Sequence, residues 1–297
     1  MTDPMAESFT SEPVGKSVPR IDVYEKVTGS AVFADDMQFG PGLYYGRLVR
    51  SPYAHALIKG VDASKALDMP GVKAVVTGAD VPNNIGLYLI DRPIFARDRV
   101  RYVGEPVAGV VAASEEIAQD AAQLVVVEYE ELPAVFDPEK GAQLGAPQLH
   151  PDLGEYEVAN FIFPKPGSNV SEHFRLRRGE VGSAWPKCAA IVAGTFRLPQ
   201  IQHVPIEPHI AVSLWERPEE VTLWTCSQSP FAQRDLVAQS LGIPHGNLRV
   251  VAPFVGGGFG GKAGISMEVC AVVMARAVKG HPVKLRMTRE EEFIGTS

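Results

Sequence analysis

Residues 249–264, RVVAPFVGGGFGGKAG, set an apolar run ahead of six glycines and one lysine, and the strongly apolar GISMEVCAVVMARAVKG follows directly. Between Gly256 and Gly261 every position but Phe259 is glycine. One or two glycines suffice for a turn; a run this dense removes Cβ atoms along a stretch of backbone, so that its N–H groups can approach a bound group closely. Such a surface suits anions or oxo ligands. From Gly256 to Lys262 the run also spells G-x-x-x-x-G-K, the phosphate loop of nucleotide-binding proteins, and it has the required strand before it and helix after it. Two features oppose that assignment. Ala263 stands where a Ser or Thr hydroxyl would hold Mg²⁺, and only Ala263–Ser297 follows the lysine, too little chain for the later strands and metal-binding acid. Glu128, an acid at a strand end, lies upstream. A P-loop-like nucleotide-binding protein is therefore a minor alternative.

With 297 residues the chain has room for two domains. Its 45% hydrophobic and 21% charged residues fit an ordinary folded protein, and the net charge of -7 offers no footprint for nucleic acid. The N-terminal MTDPMAESFTSEPVGKSVPR lacks a basic start followed by an apolar stretch, and no window approaches a membrane span; the expected location is cytoplasmic. Cys188, Cys226 and Cys270 form no C-x-x-C pair, which leaves no zinc or iron–sulfur site within the chain. Each is expected to be a small buried side chain.

Residues 1–18 read as a flexible tail, with structure beginning near Ile21. From there to about residue 140, strand-like LYYGRLVR, ALIKGV, VKAVVTG, EPVAGVVAA and LVVVEYEEL interleave with helical ASKALDM and a helix capped by Ser114, whose Ile117, Ala121 and Leu124 share a face. Residues 137–180 suit a surface linker. AAIVAGTFRL, HIAVSLWE, EVTLWTCS and NLRVVAPFV then read as strands. SPFAQRDLVAQSLGIP reads as a helix with Ser229 as N-cap, Pro230 at its first position, Gly242 as its stop and Leu236, Val237 and Leu241 facing inward. The helix behind the glycines is expected to stop at Gly280. These alternations predict an α/β or α+β fold.

Taken together, GGGFGGK and the upstream Gln of LWTCSQ resemble the molybdenum-binding subunit of the xanthine dehydrogenase and aldehyde oxidase family. VPRIDVYEKVTGSAVFADDM, GRLVRSPYAHALIKGVDASKA, GVKAVVTGADVP, RYVGEPVAGVVAASEEIAQDAAQLVVVEYEELPAV, QHVPIEPH and MTREEEF are similar to the opening half of such subunits, in the same order. The resemblance implies an α/β hammerhead domain over 19–140 and the first part of a molybdenum-cofactor-binding domain over 141–297. It makes the Gln228 amide the hydrogen-bond partner of an oxo group on molybdenum, puts Phe259 and Gly260 beside the metal, and brings Gly257 and Gly258 close to the cofactor. Molybdopterin, as a cytosine dinucleotide in a bacterial enzyme, is the implied cofactor. A [2Fe-2S] subunit, an FAD subunit and a chain carrying the rest of the molybdenum domain are the implied partners.

Members of that family hydroxylate a carbon centre with water as oxygen source, using a general-base glutamate that lies beyond anything corresponding to Ser297. The catalytic base is thus expected outside this chain, and TREEEFIGTS, ending just after a helix start, suits one part of a split or truncated subunit. In xanthine-oxidising members a glutamate that contacts the purine follows the loop lysine. Ala263 in that place is a candidate substrate-pocket residue and favours an aldehyde, an N-heterocycle or an aromatic thioester. An accessory or assembly protein of the same fold is the alternative. His203 and His209 share no strand or helix face and are expected to be structural, Glu207 is expected to pair with a cation, and Thr288 with Glu291 has capping-box spacing.

Overall fold

The computed structural model describes residues 14–295, so most of the expected tail lies outside the described residues. The fold is α+β. Strands β1 (Tyr44–Arg50), β2 (Ala56–Asp62), β3 (Val72–Thr77), β4 (Arg99–Val100), β5 (Pro106–Ala112) and β6 (Val126–Glu131) come first. Strands β7 (Ile210–Arg217), β8 (Glu220–Thr225), β9 (Leu248–Val251) and β10 (Val283–Arg286) follow. Helices α1 (Glu115–Leu124), α2 (Pro230–Leu241), α3 (Glu268–Ala277) and α4 (Arg289–Gly295) pack among them.

A seven-stranded sheet runs in the order β9-β8-β7-β10-β1-β5-β3, and a smaller one in the order β4-β2-β6. The large sheet takes strands from both sides of residue 140. Its seam is β10, parallel to β1 through Tyr44↔Val283 and Gly46↔Leu285 and antiparallel to β7 through Val283↔Ser213. The main core is shared in the same way, joining Leu48, Phe95 and Val111 to Ala211, Leu223 and Met274.

Helix α3 is apolar on all sides because it is enclosed: every residue from Glu268 to Ala275 is buried. It lies close to the sheet where β1 and β5 carry glycine. A Cβ on Gly46 would sit 2.7 Å from Met274 Cε, and one on Gly109 would sit 2.7 Å from Met274 Sδ and 3.1 Å from Phe95 Cζ. The Trp215 indole N–H donates to the Val272 carbonyl at 2.8 Å and fixes the helix along its axis.

Several local expectations hold. Ser114 Oγ accepts from the Ile117 N–H at 3.2 Å, and α2 starts at Pro230 and stops at left-handed Gly242. Others need correction. Ser229 sits at the N-cap of α2 without a side-chain capping bond, and Leu124 is exposed, leaving Ala118 and Ala121 as the buried face of α1. Helix α3 ends at Ala277, three residues before Gly280, because Val278 already departs from helical geometry and Gly280 serves the turn into β10, donating to the Trp215 carbonyl. AAIVAGTFRL forms no strand, and Val192, Phe196 and Leu198 are more than nine-tenths exposed. Its alternation describes what the segment could pair with; among the described residues no sheet edge pairs with it. Cys226 and Cys270 are buried as expected, whereas Cys188 is exposed.

The close helix–sheet approach predicts that Gly109→Val lowers stability by about 1–3 kcal/mol through overpacking against Met274 and Phe95, measurable as a reduced urea midpoint with unchanged slope.

Candidate functional site

The glycine loop leaves β9 and enters α3, and buried polar groups hold it from beneath. Lys262, 1% exposed, donates from Nζ to Glu207 Oε2 and to the Glu207 carbonyl, each at 2.8 Å. The same Glu207 oxygen accepts the Gly256 N–H at 2.8 Å, and the Glu207 N–H donates to the Gly256 carbonyl at 3.2 Å. One carboxylate therefore brackets the loop at both ends. The lysine that suggested a phosphate loop points into the protein, which removes the basis for nucleotide binding. The expected cation partner of Glu207 is this lysine.

Gln228, three residues beyond the end of β8, grips the loop centre. Its Oε1 accepts the N–H groups of Gly260 at 3.1 Å and Lys262 at 3.2 Å, while its own N–H donates to the Lys262 carbonyl at 2.9 Å. Two N–H donors on one amide atom identify that atom as oxygen and fix which way the amide faces. Its Nε2 then carries two donors with no acceptor among the described residues, at an exposed position. The N–H groups of Gly257, Gly258 and Phe259 likewise have no acceptor among the described residues.

Glycine is required here by space as well as by conformation. A Cβ on Gly258 would lie 2.3 Å from Gln228 Oε1, and Gly257 and Gly260 both have φ +98°. Between them Phe259 holds φ 54°, a strained value for an aromatic residue, and the residue is 72% exposed.

Two further anchors escaped the sequence reading. His209 Nε2 lies 3.1 Å from the Gly261 carbonyl, and its Nδ1 lies 2.9 and 3.0 Å from the two carboxylate oxygens of fully buried Glu292. At the start of α3, Glu268 accepts the Ser266 N–H at 2.7 Å and the Gln233 side-chain amide at 3.0 Å, and Gln233 also reaches the Gly264 carbonyl at 2.9 Å. His209 was expected to be structural, and it is; the triplet Glu290–Glu292 concealed its partner. Glu291 completes the capping box with Thr288 and pairs with Arg47 and Arg50 of β1, while Glu292 turns inward. His203 lies against Gly261 from outside, 3.0 Å from where a Cβ would be, and does not join His209 in a metal site.

Two adjoining cavities open against the loop. One of about 420 Å³ lies against Gly260 and Gly261, walled by Arg92, Tyr102 and Phe293. The other, of about 570 Å³, is mainly apolar and is lined by Leu87, Tyr88, Ile162, Ala263 and Ile265. Ala263 thus lines the second cavity and not the first, although the two share Arg92, Gly264 and Ile265.

Comparison with known proteins agrees with this architecture. Residues 28–133 match the family described as aldehyde oxidase and xanthine dehydrogenase, a/b hammerhead domain, and residues 162–297 match the molybdopterin cofactor-binding domain. The nicotinate dehydrogenase large molybdopterin subunit of Eubacterium barkeri is 32% identical over 94% of this chain and 62% of its own length. The xanthine dehydrogenase molybdenum-binding subunit of Escherichia coli O157:H7 is 33% identical over 93% of this chain and 36% of its own. The crystal structure of quinoline 2-oxidoreductase from Pseudomonas putida 86 superposes with TM-score 0.81 at 34% identity, covering 95% of this chain and 36% of that one.

The fold is that of a molybdopterin cofactor-binding domain joined to an a/b hammerhead domain. The chain belongs to the xanthine dehydrogenase and aldehyde oxidase family, and it spans less than two thirds of the length of each of these relatives.

Removing one member of the buried pair should be costly. Lys262→Met strands the Glu207 carboxylate and is expected to destabilise the protein by about 3–5 kcal/mol, whereas Lys262→Met combined with Glu207→Leu should recover part of that loss in the same denaturation experiment.

Proposed function

We propose that this chain is the molybdopterin-binding portion of a molybdenum hydroxylase, oxidising an aldehyde, an N-heterocycle or a related aromatic carbon with water as oxygen source. The carrying observation is the Gln228 amide, pinned through its oxygen by two loop N–H groups so that its two N–H donors face outward beside Phe259 and Gly260. The cradle fits the group. Glycines that a Cβ could not replace leave the N–H groups of Gly257, Gly258 and Phe259 without protein acceptors, which is the donor set an electron-rich oxo centre and its pterin require.

When bound, the cofactor supplies two-electron redox chemistry. This chain's part is to hold and polarise. Gln228 Nε2 would donate to an oxo group without adding charge, and because its orientation is set beforehand it costs little to reorganise. Phe259 and Gly260 would lie beside the metal, with Gly257 and Gly258 against the cofactor. Ala263 opens the apolar cavity to an uncharged substrate, where the glutamate of xanthine-oxidising members would place a carboxylate.

The same reading places the hammerhead over 19–140 and the first part of the cofactor domain over 141–297. It assigns the general-base glutamate and the rest of the molybdenum domain to polypeptide outside this chain, [2Fe-2S] and FAD to partner subunits, and the cofactor to the cytosine dinucleotide form. Exposed Val192, Phe196, Leu198 and Ile206 support a partner surface over that segment. No helix among the described residues is long and apolar enough to cross a membrane, in keeping with the proposed cytoplasmic location.

Metal analysis of the active assembly should find molybdenum near one atom per copy of this chain; finding none refutes the proposal. Gln228→Ala should lower kcat by about 10²–10³-fold, the usual loss for one donor to a developing oxyanion, with molybdenum retained. An undiminished rate would favour the accessory-protein alternative.

A further inference from the structure

The ring of His209 is buried between two acceptors. Nδ1 faces both oxygens of the Glu292 carboxylate at 2.9 and 3.0 Å, and Nε2 faces the Gly261 carbonyl at 3.1 Å. A neutral imidazole has one N–H and one lone pair, so beside an ionised Glu292 one of these contacts would set lone pair against lone pair; with the carboxylate charged, only the doubly protonated ring satisfies both. The contact to Glu292 is doubled by the His209 backbone N–H, which donates to the same carboxylate, and the Glu292 carbonyl is held by Gln202 Nε2.

We propose that His209 is a positioning residue of the glycine loop, an imidazolium whose two N–H groups tie Glu292 of α4 to the Gly261 carbonyl. The tie reaches the loop at the Gly261 carbonyl, one residue from exposed Gly260, and it links the cradle to the Thr288–Glu291 cap and, through Glu291, to Arg50 of β1. Its consequence for cofactor positioning rests on the function proposed above; the tie itself does not.

The charged groups around the ring favour the cation. Glu292 comes from α4 and Glu268 from α3, and Lys262 lies under the loop with its charge matched by Glu207. Burial works against a charged His209, yet the hydrogen bond to Glu292 and the fields of Glu268 and Glu292 raise its pKa above the ordinary value. Burial likewise opposes ionisation of Glu292, and the hydrogen bonds from His209 hold its carboxyl below the usual range. The stabilisation from His209 is therefore complete below an unfolded-state pKa of about 6.5 and is lost as pH rises through the raised folded value. That from Glu292 is present above an unfolded-state pKa of about 4.3 and is lost as pH falls through the lowered folded value. The tie therefore opens as pH rises through the raised value of His209, and at the acid end as pH falls through the lowered value of Glu292.

Hydrogen–deuterium exchange of the peptide covering residues 256–264, in the native assembly and corrected for intrinsic exchange chemistry, tests this from about pH 6 to about pH 9. Wild-type protection should hold at the acidic end of that range and fall by about tenfold in one step as pH rises. Glu292→Gln should move that step down by about one pH unit or more, since it removes the opposing charge. His209→Asn, with no titrating ring, should show no step. A flat wild-type profile overturns the inference, as does a step that Glu292→Gln leaves in place or His209→Asn retains. Molybdenum is measured on the same samples. A step without metal would refute the cofactor reading and leave the tie standing, and metal without a step would do the reverse.

Discussion

Glu207 governs the site. A single carboxylate oxygen receives the Gly256 N–H at the entrance of the glycine loop and the Lys262 ammonium at its exit, closing the intervening residues into an arc. Without that closure, a run of glycines would pay the largest backbone entropy of any residue type to hold one shape. The carboxylate lies nearly out of water and its charge is matched by a lysine with even less exposure, so the pair is strong only while both members are present. Everything the loop offers outward depends on this fixture beneath it.

With the ends fixed, the interior can carry strain. Phe259 stays in a left-handed conformation because Gln228 ties down the residues just after it and Gly257 and Gly260 absorb the turning on either side. The outcome is a surface with a division of labour. Inward-facing groups, Gln228 Oε1, Lys262 Nζ and His209, are spent on the protein. Gln228 Nε2 and the N–H groups of Gly257 to Phe259 have no acceptor among the described residues. A phosphate loop would require the reverse, with its lysine outward, and so the missing hydroxyl at Ala263 follows from a different task.

Most individual elements were legible because alternation and caps are local. β1, β5 and β7 follow their apolar periods, and Ser114 and Gly242 mark helix ends as their chemistry requires. The assembly was not. β10 lies between β1 and β7, a parallel pairing of residues 44–46 with 283–285 that leaves no short-range trace. The alternation of AAIVAGTFRL expresses a preference for pairing, which carries no information about whether an edge is there to receive it. Within the site, glycine density identified the loop and Glu207 was legible as the partner of a cation. Its partner's identity was hidden, because Lys262 carries a motif that points to solvent in other proteins. Glu292 was hidden by its neighbours, since in a run of three glutamates only the fold separates the cap from the buried tie.

The account turns on what lies against the outward amide of Gln228. A density map of the native assembly, with cofactor present and side chains resolved, would show it directly. The account predicts the molybdenum centre within hydrogen-bonding reach of Gln228 Nε2, with Phe259 and Gly260 beside it and the Lys262–Glu207 pair intact beneath. A cofactor located elsewhere in the assembly, with the Gln228 amide turned onto protein and the glycine loop facing only solvent, would contradict it.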